Sequence, residues 1–81
     1  MKVSFEELRG IAADIFQVSP NRIHRESSPD TIESWDSLQQ LNLILALEQK
    51  LGLEFEPDEI ERMTSLDAIF SIIEEKQLEQ T

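Results

Sequence analysis

Apolar residues recur along this chain at helical spacing, not strand spacing. Phe5, Leu8, Ala12 and Ile15 fall three or four positions apart, and Ile11 and Phe16 widen the stripe, as one buried face of a helix requires. Ser4 and Glu7 form a capping box ahead of it, which places a first helix over about 4–16. Gly10 weakens that helix without breaking it, and Val18-Ser19-Pro20-Asn21 stops it. A second helix is expected over about 37–51, closed by Gly52. It carries two stripes, Leu38, Leu41 and Leu45 followed by Glu48, and Leu43, Ile44, Leu47 and Leu51. A helix apolar around most of its circumference is expected to have protein on several sides. Pro57, a favoured first helical residue, opens a short acidic helix over about 57–62. Thr64 and Asp67 are expected to cap a fourth over about 65–77, where Leu66, Ile69, Phe70 and Ile73 keep the helical period. From about Gln77 the chain is expected to fray.

Alternation with a period of two is confined to Leu53-Glu54-Phe55-Glu56, between Gly52 and Pro57. The fold class is therefore all-α, a four-helix bundle of three long helices and one short one in a single domain spanning 1–81. A long loop, 17–36, joins the first two helices. Pro20, Pro29 and the pair Ser27-Ser28 exclude regular structure from much of it. A loop of this length in a compact domain is either functional or a sign of wrong assignment. Ile23, Ile32 and Trp35 are the residues expected to pin it to the bundle.

Composition narrows the chemistry. Eighty-one residues bury only about 60% of the surface that the unfolded chain exposes, so the core must be efficient. There is no cysteine and one histidine, His24, which excludes thiolate chemistry and a histidine-built metal cage. No apolar run approaches the roughly 20 residues of a membrane span, and no signal peptide is recognisable, so a cytoplasmic protein is expected. Seventeen acids against seven bases leave a net charge of −10. Such a surface repels nucleic acid and anionic membrane and favours a basic protein partner. The charge is uneven: residues 37–51 are neutral overall, whereas the last 30 residues carry −7.

One candidate for chemistry stands out, the run "ESWDSL" over 33–38, where a hydroxyl opens the most apolar helix. Asp36 is the expected N-cap, with Gln39 completing a capping box. Ser37 then lies in the first turn, facing water at the positive end of the helix dipole, where free amides attract anions. No neighbouring base would activate it, and no Gly-x-Ser-x-Gly elbow exists. A used hydroxyl here must be modified by another enzyme. Asp30 to Asp36 is acid-rich but fails calcium-loop spacing, since Ile32 occupies the third position and no glycine the sixth.

The whole run "WDSLQQLNLILALEQKLGLEFEPDEIERMTSLDAIFSIIEE" resembles the acyl carrier proteins, and the Val18-Ser19-Pro20 turn extends the likeness towards the N-terminus. The resemblance implies an acyl-carrier-like bundle that performs no catalysis itself. It implies 4'-phosphopantetheine joined to Ser37, between Asp36 and Leu38, by a phosphopantetheinyl transferase that uses coenzyme A. The arm would hold an acyl or aminoacyl group as a thioester, and loading and transferring enzymes with basic surfaces would be the partners of an expected monomer.

The chain departs from that family where housekeeping fatty-acid carriers present acids. Gln39, Gln40 and Asn42 are uncharged, and the acids gather instead at Glu54, Glu56, Asp58, Glu59 and Glu61. Partner recognition is therefore expected over Leu38, Gln39, Asn42, Glu54, Glu56, Asp58, Glu59 and Glu61, in a specialised biosynthetic pathway. The alternatives are a housekeeping fatty-acid carrier, an aminoacyl or peptidyl carrier, and an adaptor bundle that is never modified. Trp35 before the Asp-Ser-Leu is the second departure, and is expected to anchor the loop by packing on the bundle.

Overall fold

The computed structural model describes residues 3–79 and, among them, contains four α-helices and no strand. The helices are α1 (Phe5–Phe16), α2 (Ser37–Leu51), α3 (Pro57–Glu61) and α4 (Leu66–Glu79), with one 3₁₀ turn at Pro20–Arg22. No helix among the described residues is long and apolar enough to cross a membrane.

Each helix begins where a side chain can satisfy its orphan amides. The Ser4 hydroxyl accepts from the Glu7 amide at 3.2 Å, and Asp36 Oδ1 accepts from the Gln39 amide at 2.9 Å. Glu59 Oε1 accepts from the Glu56 amide at 2.7 Å, beside Pro57. At α4 the cap is Ser65, whose hydroxyl accepts from the Ala68 amide at 3.1 Å, and not Thr64 as the sequence spacing indicated. The stops also differ from expectation at one end. Helix α1 ends at Phe16 as expected, but its cap is Gln17, left-handed at φ 57°, just before the Val18-Ser19-Pro20-Asn21 turn. Gly52 ends α2 at φ 68°, a conformation that glycine adopts without penalty. Helix α4 continues past Gln77, whose Oε1 accepts from the Val3 amide at 3.0 Å. The fraying expected from about Gln77 therefore does not begin there, since α4 runs to Glu79, and its remainder falls outside the described residues.

One core holds these elements together. Leu8, Ala12, Ala13 and Phe16 enter it from α1, Leu43, Ile44 and Leu47 from α2, and Leu66, Ile69, Phe70, Ile72 and Ile73 from α4. The Leu53–Glu56 alternation buries Leu53 and Phe55 in this core and leaves Glu54 and Glu56 in water.

The long loop serves as a cap for two helices, which explains how a segment without regular structure keeps one shape. Ile23, Ile32 and Trp35 are buried in the core. The Ser34 hydroxyl donates to the Phe16 carbonyl at 2.8 Å, one of the orphan acceptors at the end of α1. The Ser27 and Arg25 carbonyls accept from the Leu66 and Asp67 amides at 3.0 and 2.8 Å, two of the orphan donors at the start of α4. Arg25 also pairs with Asp67 at 3.0 Å and lies over the rings of Phe5 and Phe70.

One expectation fails on α2. Leu38, Leu41 and Leu45 are not covered by protein; they stand 66%, 53% and 47% exposed, while Leu43 and Leu47 are fully buried. Among the described residues the bundle covers one side of α2 and leaves the side that carries Leu38, Leu41 and Leu45 open. Leu45 therefore lies outside the cluster in which Ile44, Ile69, Phe70 and Ile73 are packed.

Candidate functional site

The mouth of α2 is built by the loop before it. Trp35 is 2% exposed and stacks on Phe16 with ring centroids 4.8 Å apart. Its indole N–H donates to Gln40 Oε1 at 2.6 Å. Trp35 is thus an anchor within the fold and is not itself a contact surface. With Trp35 held, Asp36 takes an extended N-cap conformation, and Ser37 becomes the first residue of the helix.

Ser37 is exposed, and among the described residues its Oγ makes no hydrogen bond. The cap satisfies the Gln39 amide, and the Asp36 carbonyl accepts from the Gln40 amide at 2.8 Å. Among the described residues the amides of Ser37 and Leu38 have no acceptor, so the positive end of the α2 dipole opens onto the hydroxyl. A phosphodiester oxygen on Ser37 would lie in that field with nothing to displace. The residues present fit such a group: the nucleophilic oxygen is accessible, the helix end favours negative charge, and the cap that shapes the helix is carried by Asp36 instead of Ser37. The Gln39 side chain does not complete a capping box, because its Oε1 accepts from Asn42 Nδ2 at 2.9 Å.

On α2, after the hydroxyl, lies an exposed surface only part of which was legible in sequence. Leu38, Gln39 and Asn42 lie on or beside the open side of α2, with Gln39 half-buried and the other two exposed. Leu41 and Leu45 continue the same exposed face and were missed, since helical periodicity reads them as core. Glu54, Glu56, Asp58 and Glu61 are exposed on and before α3.

Glu59 differs from its neighbours. Its side chain is 15% exposed and pairs with Lys76 Nζ at 2.8 Å, besides accepting from the Glu56 amide. That amide bond, and then Lys76, hold its carboxyl below the usual glutamate value. Glu59 ties α3 to α4, and its charge is engaged within the fold.

The chain matches the family described as "Phosphopantetheine attachment site" over residues 6–72. It is 31% identical over 70 residues to the acyl carrier protein of Campylobacter hominis, covering 86% of this chain and 89% of that one. It is 31% identical over 71 residues to the acyl carrier protein of Thermosynechococcus vestitus, covering 88% of each. In three dimensions it is similar to the solution structure of a holo acyl carrier protein from Geobacter metallireducens, with a TM-score of 0.85, 25% identity, and coverage of 94% of this chain and 87% of that one. The helical bundle, the helix-mouth serine and a family match running from α1 into α4 agree: the chain belongs to the acyl carrier protein family.

Proposed function

We propose that Ser37 is the attachment point of 4'-phosphopantetheine, and that the chain is a carrier, not an enzyme, presenting an acyl group to the enzymes of a specialised biosynthetic pathway. The observation that carries this reading is an exposed hydroxyl at the α2 N-terminus, free of any hydrogen bond among the described residues. When bound, the group supplies a thiol at the end of a flexible chain, on which an acyl or aminoacyl group is held as a thioester. The residues of the chain supply the rest. Asp36 keeps the helix end formed whether or not Ser37 is modified. The free amides of Ser37 and Leu38 favour the negative charge of a phosphodiester. Leu38, Leu41 and Leu45, flanked by Gln39 and Asn42, offer partners an apolar, uncharged strip beside the hydroxyl. Glu54, Glu56, Asp58 and Glu61 offer acids that steer a basic enzyme and set its on-rate more than its affinity.

The uncharged start of α2 favours the specialised pathway over housekeeping fatty-acid synthesis, whose enzymes would find no acid at Gln39, Gln40 or Asn42. Co-expression with a broad-specificity phosphopantetheinyl transferase, followed by intact-protein mass spectrometry, tests the attachment. One phosphopantetheine is expected on the native chain and none on Ser37→Ala. The variant is expected to lose less than about 1 kcal/mol of stability, since Asp36 retains the cap. An unmodified native chain, or a modified Ser37→Ala, would overturn the assignment.

A further inference from the structure

Gln40 lies three residues beyond Ser37 on α2 and bonds in two directions. Its Oε1 accepts from the Trp35 indole at 2.6 Å, and its Nε2 donates to the Met63 carbonyl at 3.2 Å. Only this orientation of the amide serves both partners, because an indole N–H can only donate and a carbonyl can only accept. Trp35 belongs to the segment that delivers Ser37 to the helix mouth. Met63 follows the end of α3, is buried, and its amide donates to the Ile60 carbonyl at 3.1 Å. One side chain therefore joins the approach to Ser37, the first turns of α2 and the end of α3. The ties between α2 and α3 at the opposite end of the helix are different ones: Glu48 Oε2 accepts from the Phe55 amide at 3.1 Å just before α3.

We propose that Gln40 is a positioning residue for loading. It holds the hydroxyl of Ser37 and the exposed acids of α3, Asp58 and Glu61, in one fixed relation, so that an enzyme that docks on the acids finds the hydroxyl in place. The proposal rests on the reading of Ser37 as the attachment point. The bridge needs a side chain with both a donor and an acceptor, because neither alone can join Trp35 to Met63. The cost of breaking one arm falls on docking: α3 stays attached through Glu59 and Lys76 but loses its fixed position relative to Ser37, while the hydroxyl itself keeps its exposure and its cap.

Gln40→Glu keeps the acceptor for Trp35 and loses the donor to Met63; Gln40→Met loses both. Steady-state loading of the full chain by a phosphopantetheinyl transferase with coenzyme A is measured for each, with melting temperature and the emission of Trp35, the only tryptophan in the sequence. For Gln40→Glu, KM for the carrier is expected to rise about three- to tenfold with kcat within about twofold, as loss of one internal hydrogen bond that fixes the docking acids allows. The added acid would by itself improve docking on a basic enzyme, so a rise cannot come from charge. Trp35 emission stays at its native position in Gln40→Glu and moves in Gln40→Met. A lowered melting temperature with unchanged KM would make Gln40 a structural tie only and overturn the proposal. So would a fall in kcat at constant KM, which would place its effect on the hydroxyl. A native chain that is not loaded at all would instead sink the Ser37 assignment, so the two failures are distinguishable.

Discussion

Leucines two positions apart on α2 should behave in opposite ways when truncated. Leu47 is fully buried and Leu45 is 47% exposed. Leu47→Ala removes a side chain that touches core atoms on every side and leaves a cavity, at a cost of about 2–5 kcal/mol. Leu45→Ala opens no cavity, because water already reaches the site. Only about half of the roughly 2 kcal/mol gained by burying a leucine is at stake, so the loss should be about 1 kcal/mol or less. A domain of 81 residues has about 4–12 kcal/mol of stability in all, so the first change removes a large share and the second a small one. Urea unfolding followed by far-UV circular dichroism separates them. At a slope of about 1 kcal/mol per molar urea, Leu47→Ala should move the midpoint by about 2 M or more and Leu45→Ala by about 1 M or less. Equal shifts, or a larger one for Leu45→Ala, would mean that the open side of α2 is covered in solution and that the exposed strip does not exist.

Acid should weaken the tie between α3 and α4. The Glu59 carboxyl is held below its ordinary value of 4.5, first by the Glu56 amide and then by Lys76. A depressed value means that the charged form is favoured by folding, so its contribution is complete above the ordinary value and is lost as pH falls through the folded one. The difference in melting temperature between the native chain and Glu59→Gln should therefore be largest near neutrality and shrink below about pH 4.5; a gap undiminished near pH 3 would refute the tie. For partner steering, reversing Glu54, Asp58 and Glu61 to Lys should slow loading by cognate enzymes more than reversing Glu6 and Glu7. Equal slowing would show that the docking surface lies elsewhere.

Residues that act through neighbours in the chain are legible in the order of amino acids alone. Asp36 caps α2 because its oxygen reaches an amide three residues on, and Gly52 stops the same helix because it alone turns left-handed without strain. Ser37 could be placed at an accessible helix mouth from the same local chemistry, and its likeness to a carrier motif rested on the order of residues around it. The cap of α4 lies one position beyond the one that local spacing picks out, since Thr64 and Ser65 are both adequate caps and the start of the helix is also met by the loop carbonyls of Arg25 and Ser27, distant in sequence. Glu59 looked like any other acid in its run. Only the folded chain brings Lys76 to it.

By itself the sequence determined the four helices, the single apolar core, the hydroxyl at the start of α2 and the acidity of the second half, because periodicity, caps and charge are properties of near neighbours. The tertiary structure alone decided which leucines of α2 face water, which acid of α3 is engaged in an internal pair, and that Gln40 spans from Trp35 to Met63. Those outcomes depend on which residues distant in sequence the fold brings into contact, and no local rule carries that information.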